Sequence, residues 1–162
     1  MSITALAPEQ EGAVLEALVR RAQELIATHY RVERHQIGAV LLDHDGNYHE
    51  GVHMEAMVGR ASSCAETAAL ANAVMAGAVG KLAYAVAVRH PKPSERDQTP
   101  RVVPPCGLCR ELLLDYGPDI SVVLADDTGL RASLLSELMP YKYVGTKWAH
   151  EQPAATEQVA PR

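Results

Sequence analysis

The stretches 63-SCAE-66 and 105-PCGLCR-110 contain all three cysteines of this 162-residue chain. Good helix formers follow each stretch, and the two predicted helices end at Gly77 and at Gly117-Pro118, residues that commonly terminate helices. Each cysteine stretch is therefore expected to open a helix. Two helix N-termini that carry thiols can converge on one metal ion, and we expect the rest of the chain to bring them together.

The segments around these two helices predict a single α/β layer structure. Apolar residues at helical spacing predict a first helix from Pro8 to about Tyr30. The other predicted elements are strands at 37–42, 48–55, 82–88 and 120–124, a hairpin turn at 43–47, a turn at 126–129, and a last helix from Leu130 to Met139. Helices and strands that follow one another in this order predict a mixed sheet with helices packed against it.

Two segments are predicted to contain neither helix nor strand. The segment from Arg89 to Val103 carries prolines among charged residues and predicts a surface loop, which at such a length is usually functional or mobile. The polar, proline-punctuated residues 149–162 predict a flexible C-terminal tail. Residues 1–148 are accordingly expected to form one domain.

The net charge and the number of cysteines limit which classes of binding partner and which cellular compartment we expect. A net charge of −5 argues against nucleic acid, because a phosphate-binding surface is basic. No apolar run approaches the roughly 18 residues needed to span a bilayer, and no signal-peptide pattern is present. An odd number of cysteines does not suit a secreted disulfide framework. We therefore expect a cytoplasmic protein with a small-molecule partner, and neither a nucleic acid nor a membrane.

The Cys-x-x-Cys pair at 106 and 109 permits several chemistries. A redox dithiol needs no third cysteine, and a structural zinc ribbon needs a second, similarly spaced pair that this sequence does not contain. Three thiolates with an open fourth position are typical of a catalytic zinc that binds water. Cys64, Cys106 and Cys109 are therefore the predicted ligands of one zinc ion per subunit.

Glu66 has two interpretations. The stretch 63–66 matches a capping box, in which a glutamate at the third helical position folds back onto the amide of the cap residue. Because Glu66 is two residues beyond the predicted ligand Cys64, its carboxylate could instead serve as general base toward a zinc-bound water. A catalytically idle zinc domain with an assembly role remains an alternative, but a purely structural site needs no proton shuttle.

Together the two stretches resemble the paired signature of the cytidine deaminase superfamily, in the three-cysteine branch that includes homotetrameric cytidine deaminases and blasticidin-S deaminases. The resemblance implies a three-layer α/β fold with a mixed central sheet of about five strands flanked by helices, assembled as a homotetramer. It implies a hydrolase of carbon–nitrogen bonds, in which zinc activates water and Glu66 moves protons while a cytidine-like nucleoside or amino-pyrimidine releases ammonia. The alternative substrate is an antibiotic nucleoside of the blasticidin-S type or another amino-heterocycle.

The resemblance also assigns substrate-binding positions. His53 and Glu55 fall where cytidine deaminases carry an Asn and a Glu that hold the ribose hydroxyls, and the backbone of Ala65 is expected to bond the pyrimidine. His35 stands where the family has a Phe that lines the base pocket. His53 and Glu55 also match the His-x-Glu half of the histidine-ligated branch, but their stretch is strand-like and this assignment leaves Cys64 without a role.

Three thiolates and Zn²⁺ sum to a charge of −1, which opposes a further anion at the metal. The two helix N-termini offset part of this charge, and Arg110 is expected to donate a hydrogen bond to a thiolate. Many cytidine deaminases carry a second arginine directly after Cys-Ala-Glu. Here Thr67 occupies that position next to the metal ligands, and Arg60 is a candidate replacement for the missing arginine.

Overall fold

The computed structural model describes residues 7–147, so the predicted tail at 149–162 lies outside the described residues. The helices are α1 (Pro8–His29), α2 (Ala65–Met75) and α3 (Gly107–Tyr116). The strands are β1 (Ile37–Asp43), β2 (Tyr48–Val52), β3 (Leu82–Arg89), β4 (Arg101–Val102), β5 (Ser121–Asp126) and β6 (Gly129–Leu134). Short 3₁₀ turns occupy Gly59–Ala61 and Leu135–Leu138.

The strands form one mixed sheet in the order β2-β1-β3-β5-β6, with the short β4 paired to β3 beside this path. Only β3 and β5 run parallel, and their pairing stops after Ala85 and Val122. Beyond that point β4 takes over as the neighbour of β3, in the segment that the sequence predicts as loop. The expected mixed sheet is confirmed, with β4 as an addition to the five strands of the main path.

Helix α1 covers one face of the sheet, and α2 and α3 cover the other. On β1, Val40 and Leu42 pack in the cluster that contains α1, whereas Ala39 and Leu41 pack in the cluster that contains α2 and α3. A strand that is buried on both faces typically has a continuous run of apolar residues, and β1 has such a run. The predicted three-layer α/β fold is confirmed, and no helix within residues 7–147 is long and apolar enough to span a bilayer.

Small side chains let α2 lie close to the sheet. The buried alanines of this layer are Ala39, Ala85 and Ala87 on the sheet and Ala65, Ala69 and Ala73 on the helix. The closest approach is at Gly51 of β2, where a Cβ would lie 2.2 Å from the backbone nitrogen of Ala69 and 2.5 Å from the carbonyl oxygen of Ala65. The first turn of α2 is therefore fixed by backbone packing against β2.

Gly51→Ala is expected to lower the free energy of unfolding by about 3 kcal/mol, because the clash is with helix backbone that cannot rotate away. The zinc affinity should fall as well, since the displaced helix begins at Cys64. Gly12→Ala, at an exposed site of α1 with open space around it, is the matched control and should be neutral or stabilising. Urea unfolding measures both effects, and an unchanged midpoint for Gly51→Ala would argue against the close packing.

The predicted helix from Leu130 to Met139 is wrong. Gly129–Leu134 is strand β6, paired antiparallel with β5 along its whole length. Gly129 closes the hairpin with a φ of +119°, a conformation that glycine adopts at little cost, and the Asp126 carboxylate accepts the backbone N–H of Thr128. Pairing with the open edge of β5 outweighs the helix-forming composition, and only a 3₁₀ turn follows.

Strand β2 ends at Val52 rather than near Glu55 as predicted. Met54 pairs with Ser63 instead of continuing along β1, and the N–H of Glu55 donates to the carbonyl oxygen of Arg34. The chain therefore leaves the sheet early and folds back on itself. This fold-back ties the residue before the first cysteine to the end of β2.

Candidate metal centre

Helices α2 and α3 begin side by side, and the residue that precedes each of them is a cysteine. Cys64 is the N-cap of α2 and Cys106 is the N-cap of α3, while Cys109 lies inside the first turn of α3. The three Sγ atoms lie within 4.8 Å of one another, and the distance between those of Cys64 and Cys106 is 3.7 Å. The predicted convergence of two cysteine-bearing helix starts is confirmed.

The spacing of the sulfurs fits zinc. Tetrahedral zinc with Zn–S bonds of about 2.3 Å holds its sulfurs about 3.8 Å apart, close to the 3.7 Å between Cys64 and Cys106. Within residues 7–147 no histidine or carboxylate joins this group of potential ligands. The three cysteines therefore fit one zinc ion per subunit and leave a fourth coordination position open, as catalytic zinc sites do.

The pKa values of the three thiols also favour a bound cation. Burial, foremost, raises the pKa of Cys64 and of Cys109, and Cys106 and Glu66 add to the effect on both. Burial acts in the same direction on Cys106, but the backbone N–H groups of Cys109 and Leu108 at the start of α3 lower its pKa overall. A divalent cation offsets the cost of ionising buried thiols, which is why such clusters bind metal with release of protons.

Glu66 is buried beside the cysteines, with 6% of its surface exposed. The N-cap of α2 is Cys64 rather than Ser63, and no side chain in the described part of the protein caps this helix, so the capping-box interpretation of Glu66 is wrong. Burial raises the pKa of Glu66, against the lowering effects of its own backbone N–H, the Cys109 thiol and a charge on His53. A buried carboxyl with a raised pKa is the kind of group that exchanges protons in active sites.

A small cavity adjoins Glu66 on the sheet side. It lies where β3 and β5 cease to pair, and Ala85, Ala87, Val103 and Pro105 are among its lining residues. The lining is apolar apart from the Glu66 side chain. Its volume of about 10 Å³ gives room for about one water molecule next to the carboxyl.

Three of the predicted substrate-binding residues lie together, and one of them, His53, is close enough to Glu66 for its charge to lower the pKa of that carboxyl. The Nδ1–H of His35 donates to the carbonyl oxygen of His53 at 2.8 Å, and His53 Nε2 lies 3.5 Å from a carboxylate oxygen of Glu55. Ser62 Oγ donates to the other oxygen of Glu55 at 2.6 Å, a contact that no sequence spacing signals. His53 Nδ1 is buried and has no hydrogen-bond partner among the described residues.

Arg110 does not bond to a cysteine sulfur in this structure. Its Nε donates to the carbonyl oxygen of Pro105 at 2.9 Å, and its Nη1 donates to that of Leu138 at 3.1 Å. The predicted hydrogen bond to a thiolate is therefore not observed. Instead, Arg110 fixes the turn immediately before Cys106.

The remaining predicted residues of the site lie around the start of α2. Ala65 is fully buried as the first residue of that helix, and Thr67 is half-buried. Arg60 is exposed on the preceding 3₁₀ turn, and its side chain makes no hydrogen bond or ion pair with the part of the chain that the structure describes. Replacement of the missing arginine at Thr67 by Arg60 is not observed.

One charged residue on the sheet face that carries the site was missed by sequence reasoning. Arg89 is predicted as the start of a loop, but it is the last residue of β3 and pairs with Ile37 of β1. The alternation of Ala85, Ala87 and Arg89 would have placed its side chain on the face that carries α2 and α3. The proline-rich composition after Arg89 masked this signal.

The fold and the site define an α/β enzyme with a three-thiolate zinc centre and a buried carboxyl. Residues 13–125 match the family described as the cytidine and deoxycytidylate deaminase zinc-binding region. The chain belongs to this family, and it is a zinc-dependent deaminase, a hydrolase of carbon–nitrogen bonds.

Individual relatives agree with this assignment. A blasticidin-S deaminase from Bacillus cereus is 41% identical over 126 residues, which cover 78% of this chain and 89% of that protein. A cytidine deaminase from Halalkalibacterium halodurans is 35% identical over 109 residues, which cover 66% of this chain and 76% of that protein. The crystal structure of a cytidine deaminase from Burkholderia pseudomallei superposes with a TM-score of 0.64 at 26% identity, covering 79% of this chain and 98% of that one.

Proposed function

We propose that this protein hydrolyses the exocyclic amine of a cytosine ring carried by a small nucleoside and releases ammonia. The observation that carries the proposal is the buried Glu66 beside three converging thiols and an apolar cavity. Family membership and the named activities of two relatives support the same reaction. Water supplies the oxygen, so the products are the carbonyl form of the ring and ammonia.

The proton transfers fall to Glu66. Zinc held by Cys64, Cys106 and Cys109 would supply an activated water near neutral pH. The Glu66 carboxylate accepts a proton from the attacking water and delivers a proton to the ring nitrogen next to the amine-bearing carbon. Glu66 then takes the proton of the new hydroxyl on that carbon and passes it to the amine, so that the carbonyl forms, the C–N bond breaks and ammonia leaves rather than an amide anion. The raised pKa of the buried carboxyl favours this exchange, because the proton is neither held too tightly nor released too early.

The sugar and the base are held by residues around Glu66. The Nδ1 of His53, which has no partner within residues 7–147, and the carboxylate of Glu55 offer hydrogen-bond partners to sugar hydroxyls. The backbone of Ala65 bonds the pyrimidine edge, and His35 lines the base pocket. Arg110 acts on zinc indirectly, by holding the turn that presents Cys106.

An antibiotic nucleoside of the blasticidin-S type is the second candidate substrate. The blasticidin-S deaminase is 41% identical to this chain, and the match covers 89% of its length. The cytidine deaminase is 35% identical, and the match covers 76% of its length. The chain also contains no phenylalanine, and His35 stands where cytidine deaminases place the Phe of the base pocket. Both features favour a substrate other than plain cytidine.

A substrate panel monitored for ammonia tests the reaction and ranks the substrates. Cytidine, deoxycytidine, cytosine, blasticidin S, an amino-triazine and adenosine are compared, with Glu66→Gln protein as the control for contaminating host deaminases. Cytosine nucleosides are expected to turn over and adenosine is not. Faster turnover of blasticidin S than of cytidine selects the second candidate, and no ammonia from any cytosine compound would refute the proposed function.

We propose that residues 1–148 form one domain, with 149–162 as a tail, and that it assembles as a homotetramer in the cytoplasm. Met57, 94% exposed, lies on the segment that precedes α2, and Leu108, 72% exposed, lies in the first turn of α3. Exposed apolar side chains of this kind support self-association. The free thiols support a reducing compartment. Light scattering of the purified protein measures the assembly.

A further inference from the structure

Arg89 lies on the same face of the sheet as the metal centre. Ala85 and Ala87, which precede it on β3, pack beneath α2 and α3. Because side chains alternate along a strand, Arg89 points to that face as well. It is paired with Ile37 on one side and with Arg101 on the other.

The guanidinium of Arg89 is held by a carboxylate from the loop that follows. Its Nη1 donates to Glu95 Oε2 at 3.0 Å, and its Nη2 donates to Glu95 Oε1. Glu95 Oε1 also accepts the backbone N–H of Lys92 at 2.7 Å, and the Gln98 side chain donates to two carbonyl oxygens of the same loop. The pKa of Glu95 is lowered to about 2, foremost by Arg89, so the pair stays charged at neutral pH. We call the Arg89–Glu95 pair the clasp.

The loop closed by the clasp connects two walls of the site. Residues 90–100, the clasp loop, leave the sheet after Arg89 and return at β4. Directly beyond β4, the N–H of Val103 bonds back to β3, and Val103 and Pro105 line the cavity beside Glu66. The next residue is Cys106. The clasp loop therefore joins two residues that line the cavity, Ala87 before it and Val103 after it.

We propose that the clasp is a positioning device that holds the clasp loop as a fixed wall at the mouth of the deaminase site. The inference rests on the proposed function and adds two residues to it, neither of which bonds to a cysteine or to Glu66. Both side chains are about a third exposed, at 32% and 38%, and exposed ion pairs contribute little to folding stability. The clasp is therefore expected to act on substrate binding, with little effect on zinc content or on the melting temperature.

Glu95→Gln is the test variant, because the amide keeps the size of the side chain and loses the charge. Asp45→Asn is the matched control. Asp45 pairs with Lys81 at 3.1 Å on the surface, at the β1–β2 turn. The substitution therefore removes an exposed ion pair that lies away from the clasp. Both variants are compared with wild-type protein after one zinc ion per chain has been verified.

Limited trypsin digestion reports on the loop without any substrate. Arg96 is the cleavable site in the clasp loop, since the bond after Lys92 precedes Pro93 and resists trypsin. Cleavage after Arg96 is expected to accelerate about tenfold in Glu95→Gln, because loop protection follows the population of the open form. It should stay unchanged in Asp45→Asn. Equal cleavage in all three proteins would overturn the proposal, whether or not any nucleoside is deaminated.

Kinetics with the best panel nucleoside test the effect on substrate. The KM of Glu95→Gln is expected to rise about tenfold, with kcat changed by less than about twofold, because the wall binds substrate without taking part in chemistry. The KM of Arg89→Gln should rise by a similar factor. The KM of the double variant should be no higher than that of either single variant, because each of the three variants removes the same Arg89–Glu95 interaction. An unchanged KM would overturn the proposal. A lower KM in Glu95→Gln would do so too, because Arg89 would then bind substrate itself, in competition with Glu95.

Discussion

Replacing Glu66 by glutamine is expected to lower the rate of ammonia release about 10⁴-fold, the upper range for losing a general acid–base group. The amide keeps the shape of the side chain but cannot accept the water proton or pass one to the ring and the leaving amine. Zinc should remain at one ion per chain, because the ligands are the three cysteines. The variant should also be at least as stable as the wild type. Since burial raises the pKa of Glu66, the neutral amide avoids the cost of a buried charge.

The comparison requires activity, zinc content and melting temperature on the same preparations. Metal analysis by mass spectrometry separates loss of the proton carrier from loss of the metal. Asp45→Asn again serves as the control, since it removes a surface carboxylate at the β1–β2 turn. If Glu66→Gln keeps both its zinc and its activity, the role of Glu66 proposed here is wrong.

Cys109→Ser is expected to lose bound zinc and to melt at a lower temperature. Cys109 is 1% exposed, so its thiolate is the ligand most shielded from water. Zinc at about a thousandfold above its dissociation constant contributes about 4 kcal/mol to stability. For a chain of this size that corresponds to a melting temperature lower by about 12 °C.

Chelation provides the matched control for this variant. Wild-type protein with a strong chelator should melt like Cys109→Ser, and the chelator should leave the melting temperature of Cys109→Ser itself unchanged. A chromogenic zinc indicator gives the metal content of each sample. Full zinc occupancy in the variant would remove Cys109 from the ligand set.

The parts of the structure set by local pattern could be predicted from sequence. Helix α1 follows from its apolar periodicity, and the strands β1, β3 and β5 follow from apolar runs between turn residues. The metal centre could be predicted because each cysteine pattern lies at the start of a helix, and two such helix starts can bring their thiols together. Family resemblance supplied the reaction, and the comparisons confirm a zinc-dependent deaminase.

The parts set by long-range pairing could not be predicted. Residues 130–134 carry no local preference strong enough to select a strand, and pairing with the edge of β5 decides their conformation. The bond of Ser62 to Glu55 depends on the fold-back after β2, and Arg110 finds its carbonyl partner at Leu138, far along the chain. The roles of His35, His53 and Glu55 toward substrate stay predictions until the panel and variants are measured.

Zinc K-edge X-ray absorption of the purified protein tests the central claim most directly. We predict one zinc ion per chain with three sulfur neighbours at about 2.3 Å and one oxygen neighbour at about 2.0 Å. Cys64, Cys106 and Cys109 would supply the sulfurs, and the oxygen would belong to the water that the reaction consumes. Four sulfur neighbours, a histidine nitrogen in place of a sulfur, or protein that binds no zinc would contradict the account.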